Sequence, residues 1–225
     1  SIMTTDTVQK VAHREVAAGN AVIRLSGAAK GAGMIRPDMA TMLAFVVTDA
    51  EAEPEALRAA LGRAVERTFN RITIDGDTST NDTVFLLASG LSGAPALSSD
   101  PDLARRFSEA LEDLCRELAR SIVRDGEGAT KLVDVTVTGA ASERDAFLVA
   151  RTIAESPLVK TAFHGEDPNW GRIAAALGRS GAYRGGPFHI SMGGVPLVRD
   201  GAGLGEDAER RVHEVMCRTE YEVRV

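Results

Sequence analysis

The sequence predicts a layered α+β fold, and three observations point there. Strand-like and helix-like segments are mixed without the strict alternation of a doubly wound sheet. Residues 42–50, "MLAFVVTDA", form a near-continuous apolar run of strand length. Residues 98–126 carry the clearest amphipathic helix, with Asp100 as its cap, Pro101 in its first turn and Gly126 at its end. Within that helix Leu103, Phe107, Leu111, Leu114, Leu118 and Ile122 fall on one stripe. Cys115 sits beside the stripe and reads as a packing residue.

The other elements follow in order. "NAVIRLSGAA" (residues 20–29) alternates and reads as a strand. The 42–50 run reads as a strand covered on both faces, because it lacks polar alternation. "EPEALRAALGRAVERTF" reads as a helix opened by Pro54, with Leu57, Leu61, Val65 and Phe69 recurring every fourth residue. "TVFLLASG" (83–90) is either a short buried strand or a helix; its periodicity fits both. "KLVDVTVTGA" is a period-two strand, followed by a helix over roughly 142–155 and a short helix, "GRIAAALGRSG", that ends at Gly181. "FHISMGGVPLVRDG" reads as a hairpin about Gly193-Gly194. A last helix near 206–216 leads to a terminal strand, "EYEVRV". The 225 residues read as one catalytic region, with no internal repeat or linker.

Composition narrows the function. A net charge of −6 argues against a general nucleic-acid binder, which would normally be basic. No apolar run reaches membrane-spanning length, so no membrane partner is expected. The two cysteines, Cys115 and Cys217, are far apart, and they read as reduced thiols of a cytoplasmic protein. The N-terminal stretch lacks the features of a signal peptide and begins as though cut from something longer.

Several familiar motifs fail. "GAAKGAG" lacks the order that a phosphate-cradling loop needs. "DGDTSTND" (75–82) starts like a calcium loop through Asp75, Asp77, Ser79 and Asn81, but its sixth position is Thr80 and its twelfth Leu86. The four histidines show no metal-ligand spacing, so no metal is expected. "MTTDT" (3–7) reads as a capped turn. Glu127 in "DGEGATK" reads either as a solvated acid after a helix end or as a carboxylate offered to a substrate ammonium. Trp170 in "FHGEDPNWGR" reads as a structural turn that caps a core.

Thr41 stands at the mouth of the apolar run. A threonine there is ordinary in a strand, yet three local features favour self-cleavage. Ala40 is small, the loop before it is Gly-rich, and the run after it is apolar and rigid. Attack of the Thr41 hydroxyl on the Ala40 carbonyl, followed by hydrolysis of the resulting ester, frees an α-amine beside that hydroxyl. With an unperturbed pKa of about 7.7–8.0, the amine can act as base for its own hydroxyl.

"IMTTDT", "KGAGMIRPDMATML", "DGDTSTNDT", "DGEGATK" and "SPLVKTAFHGEDPNWGRIAAALGRSG", in that order, resemble the ornithine acetyltransferase (glutamate N-acetyltransferase) family of arginine biosynthesis. "GGVPLVRDG" and "HEVM" extend the likeness. The resemblance implies a layered sandwich like that of N-terminal-nucleophile hydrolases, with different connectivity. It also implies cleavage between Ala40 and Thr41, dividing the chain into the end of an α piece (1–40) and a β piece (41–225) that stay associated and oligomerise. Thr41 would carry acetyl from N-acetylornithine to glutamate, with Thr7, Lys30, Thr41 and Glu127 binding substrate. No cofactor is implied, although some members also take acetyl from acetyl-CoA.

The family's oxyanion-stabilising Thr-Gly pair and its last substrate ligands are expected outside these 225 residues. Losing an oxyanion donor costs about 10²–10³ in rate, so residues 1–225 alone are expected to show little transferase activity. Two other readings of the same residues are an N-terminal-threonine amidase or aminopeptidase and an inactive relative.

Overall fold

The structure, a computed structural model, describes residues 2–36, 42–77 and 81–225. The chain divides into two units, Ser1–Ala129 and Thr130–Val225. In the first, strands β1 (Lys10–Ala18), β2 (Ala21–Lys30), β3 (Leu43–Thr48) and β4 (Thr83–Ala88) form a sheet in that order. β1 and β2 make an antiparallel hairpin closed by the two residues between Ala18 and Ala21. β3 pairs antiparallel with β2 and parallel with β4. The parallel pair requires a crossover, and helix α1 (Pro54–Arg67) lies in it.

Helix α2 (Pro101–Arg124) packs across β1 and β2, and α1 packs on α2. The Asp100 carboxylate accepts from the N–H groups of Asp102 and Leu103, both at 3.0 Å, which satisfies two of the helix's orphan donors. The predicted stripe is buried along its length, and Cys115 is buried with it. Burial pushes the Cys115 thiol up to about 12, with the nearby Glu112 charge adding to the shift. The thiol stays protonated at neutral pH and behaves as a small hydrophobe.

α1 and β3 differ from their expectations. In α1 the buried positions are Ala60 and Ala64, with Leu57, Leu61 and Val65 only partly covered. Small residues let α1 approach α2 closely, and the larger ones flank that seam. β3 is core on one face only among the described residues: Ala44, Val46 and Thr48 are buried, whereas Val47 is 51% exposed. An apolar run does not by itself say that both faces are covered. Residues 83–88 resolve as strand, with Phe85 stacked on Phe45 at 5.3 Å between ring centroids. β1 has no counterpart in the sequence reading. Its buried positions are Lys10, Ala12, Val16 and Ala18, and alanines blur the alternation.

The second unit has a sheet in the order β5 (Leu132–Thr136), β9 (Glu220–Arg224), β6 (Ile190–Met192), β7 (Val195–Arg199), β8 (Ala202–Gly203). Its helices are α3 (Glu143–Ala154), α4 (Pro157–His164), α5 (Trp170–Arg179) and α6 (Glu206–Met216). One core joins Val149, Ile153, Phe163, Ile173, Leu197, Val212, Met216 and Tyr221. Trp170 packs against this core as predicted, at the first position of α5. α4, which the sequence reading passed over, is only 8 residues long; the Ser156 hydroxyl caps it by accepting from Val159 N–H.

The β6–β7 turn carries Gly193 and Gly194 at φ +53° and +82°, the left-handed geometry that a two-residue hairpin turn needs. A Cβ on Gly193 would lie 2.6 Å from Val215 Cγ1. Gly193→Ala is therefore expected to lower stability by about 1–3 kcal/mol, read as a drop in the urea midpoint without a change in slope. Among the described residues no helix is long and apolar enough to cross a membrane.

Candidate active site

The N-terminal segment ends in a buried ion cluster. Lys10 opens β1, and its ammonium lies between the carboxylates of Asp6, at 2.6 Å, and Asp125. The side chains of Lys10 and Asp6 are fully buried, and that of Asp125 is nearly so. Burial, the largest single influence, would raise both acids, but the bonds and charge around them together outweigh it, Lys10 foremost. Lys10, with help from Gly31 and Thr4 N–H at Asp6 and from Thr7 at Asp125, holds both acids below the usual carboxylate range. Asp6 Oδ1 also accepts from Gly31 N–H at 2.7 Å, so the cluster fixes the chain where it leaves β2.

That exit is a glycine loop laced to two acids. Asp75 Oδ2 accepts from Met34 N–H at 2.6 Å, and its Oδ1 accepts from Ile35 N–H at 3.1 Å. The acid that opens the calcium-like run thus serves backbone donors of this loop. Glu127 N–H donates to the Ala32 carbonyl at 2.7 Å, and the Glu127 carboxylate accepts from the Thr5 hydroxyl at 2.6 Å. A Cβ on Gly33 would lie 2.8 Å from that carboxylate, so glycine is what lets Glu127 lie over the loop.

The third component faces the start of β3. Asp82 Oδ1 accepts from Met42 N–H, and Thr83 N–H donates to the Met42 carbonyl at 3.0 Å. Asp82 is 7% exposed, and its Oδ2 has no hydrogen-bond partner among the described residues. Burial pushes its carboxyl up to about 6, against the Met42 N–H and the Lys30 charge, which both favour the anion. Lys30 ends β2, pairs in register with Leu43 and is 8% exposed. Ala40 and Thr41, the proposed cleavage pair and nucleophile, lie outside the described residues. The described residue next to Thr41 is Met42, whose backbone N–H Asp82 holds.

The whole chain, residues 1–225, matches the ArgJ family model. The chain belongs to the ArgJ family. It is 49% identical over 228 residues to the arginine biosynthesis bifunctional protein ArgJ of Desulfotalea psychrophila, covering 99% of this chain and 57% of that protein. It is 54% identical over 202 residues to the ArgJ protein of Nitratidesulfovibrio vulgaris, covering 89% of this chain and 51% of that protein. The crystal structure of ArgJ from Bacillus halodurans superposes with a TM-score of 0.74 at 43% identity, covering 80% of this chain and 86% of that one. The chain spans a little over half the length of the curated relatives it matches. The layered α+β class expected from the sequence is the class observed.

Of the positions singled out from the ArgJ-family resemblance, Lys30 and Glu127 stand on the segments that meet at the end of β2. Thr7 stands on the segment before β1. Its N–H and hydroxyl both donate to Asp125, while the neighbouring Thr5 hydroxyl is the one that reaches Glu127. Sequence reasoning missed Asp6, Lys10, Asp82 and Asp125. A lysine four residues after "TTD" was a usable signal for the first pair, whereas Asp82 lay in a run read as a failed calcium loop and as a family motif, with no role assigned to that acid. Among the described residues one group of three offers mixed metal-ligand atoms: Glu166, His213 and Cys217.

Proposed function

We propose that the protein carrying this chain is an acetyltransferase that moves acetyl from N-acetylornithine to glutamate through an ester on Thr41. The observation that carries this reading is the match, near half identity along the chain, to relatives named for arginine biosynthesis. The described residues near the proposed cut support it: Asp82 holds Met42 N–H, and Lys30 and Glu127 stand on segments that meet at the end of β2. The Thr41 hydroxyl attacks the Ala40 carbonyl, the acyl group shifts from nitrogen to oxygen, and water releases the ester. The freed α-amine then takes the hydroxyl proton as Thr41 attacks the acetyl carbonyl of the donor. It returns that proton to the departing ornithine amine. The glutamate amine attacks the acetyl-Thr41 ester in turn and restores the hydroxyl.

Lys30 supplies a cation for a substrate carboxylate, and Glu127 an anion for the ornithine ammonium. Asp82 is a positioning residue that acts through Met42 N–H. Cleavage need not separate the pieces. The β2–β3 ladder, Leu25–Lys30 against Leu43–Thr48, joins residues before the cut to residues after it.

Incubating the full-length protein with N-acetyl-labelled acetylornithine and glutamate tests this. Label is expected in N-acetylglutamate; label in free acetate alone identifies a hydrolase instead. Acetyl-CoA as a second donor is tested in the same assay.

Gly33→Ala displaces the Glu127 carboxylate. It is expected to raise KM for N-acetylornithine about tenfold, a shift of about 1.4 kcal/mol. Because Glu127 is exposed, stability should stay within about 0.5 kcal/mol in urea unfolding.

A further inference from the structure

We infer that the second unit holds a zinc site built from Glu166, His213 and Cys217. Glu166 lies in the turn after α4 at φ +56°, a left-handed conformation that is costly for a residue with a side chain. His213 and Cys217 are four apart, the first in the last turn of α6 and the second at its C-cap, so both face the same side of the helix. Their ligand atoms and the Glu166 carboxylate all lie within 4.8 Å of one another.

Two separations already fit a bound metal. Cys217 Sγ is 3.4 Å from Glu166 Oε2 and 3.7 Å from His213 Nε2. With Zn–S about 2.3 Å and Zn–N or Zn–O about 2.0–2.1 Å, the edges of a tetrahedron that include sulfur are about 3.5 Å. A small rotation of the imidazole or the carboxylate closes the remaining edge. The fourth position opens to solvent, because His213 and Cys217 are exposed.

The surrounding bonds orient each ligand. His213 Nδ1 lies 2.8 Å from the Glu166 backbone carbonyl. A carbonyl only accepts, so Nδ1 carries a hydrogen, which leaves Nε2, on the side of Cys217, as the nitrogen that can offer a lone pair to a metal. This is the outer-shell arrangement that fixes metal-binding histidines. Lys131 binds Glu166 Oε1 and the Met216 carbonyl, which leaves Oε2 as the free carboxylate oxygen towards the sulfur. With the thiolate formed, two negative charges face the one Lys131 ammonium. The mixture of sulfur, nitrogen and oxygen suits Zn²⁺ rather than Mg²⁺ or Ca²⁺.

Without metal, the Cys217 S–H donates to Glu166, which raises the thiol above its ordinary range. On binding, the S–H bond breaks, its electron pair becomes the Zn–S bond, and the proton goes to the buffer. The site would clasp the turn after α4 to the end of α6. Histidine spacing alone does not reveal it, because the carboxylate comes from a turn 47 positions before His213.

The test is equilibrium dialysis of the untagged full-length protein against Zn²⁺, with Cys217→Ser and His213→Ala in parallel. Both residues are exposed, so the variants should fold, and circular dichroism checks that they do. The expected result is one zinc per chain, and each ligand variant should weaken binding beyond the roughly 10–100-fold typical of outer-shell changes. Co²⁺ should show a thiolate-to-metal charge-transfer band that Cys217→Ser abolishes. Calorimetry in two buffers should show the release of about one proton, lost in Cys217→Ser. Absence of stoichiometric zinc, or zinc retained equally by both variants, overturns the inference.

Discussion

Lys10→Met should destabilise the first unit by about 3–5 kcal/mol, the usual cost of removing one partner from a buried ion pair. Lys10 and Asp6 have fully buried side chains, and the single ammonium serves both Asp6 and Asp125. Methionine fills nearly the same volume, so little of the loss is cavity. What remains is two sheltered carboxylates whose other partners are Gly31 N–H, Thr4 N–H and the Thr7 donors. Those bonds do not neutralise a second negative charge. Urea unfolding reads the loss directly, and adding Asp6→Asn and Asp125→Asn to Lys10→Met should recover much of it. A loss below about 1 kcal/mol would place this cluster with exposed surface pairs.

Asp82→Ala should slow acetyl transfer about 100-fold, the penalty for misplacing a reacting group by about 1 Å. Asp82 holds Met42, the neighbour of the proposed nucleophile Thr41, through that residue's N–H. Asp82→Asn keeps an acceptor there and should retain most of the rate. An Asn variant as slow as the Ala variant would mean that the charge, not the hydrogen bond, is what matters.

The same acid has a pH signature. A carboxyl raised to about 6 binds its proton more tightly folded than unfolded. Its contribution to stability is therefore fully present below about pH 4 and is lost as pH rises through about 6. Asp6 and Asp125, which are lowered, act in the opposite sense and in another window: their stabilisation is lost as pH falls below about 4. Unfolding the parent and Asp82→Asn across both ranges should show the fall between about pH 4 and about pH 6 in the parent alone.

What the sequence revealed follows from how each element is specified. α2 was legible because its cap Asp100, Pro101 in the first turn and a 3.6-residue stripe agree there. β1 was not, because its inward positions are mostly alanine plus a lysine, and only the ion cluster explains a lysine facing inward. At the candidate site, the motif residues Lys30 and Glu127 were readable by likeness, whereas Asp82 and Asp125 act through backbone N–H groups and hydroxyls that no spacing rule encodes. The Glu166 cluster escaped notice for a related reason, since its groups are gathered by tertiary packing across separate elements.

The central claim is that Thr41 becomes a new chain start that carries acetyl. Intact mass of the full-length protein, before and after N-acetylornithine, tests it most directly. The account predicts two pieces, one beginning at Thr41, which gains a single acetyl group that glutamate then removes. An uncut chain, or a Thr41-initiated piece that never gains acetyl, would contradict it.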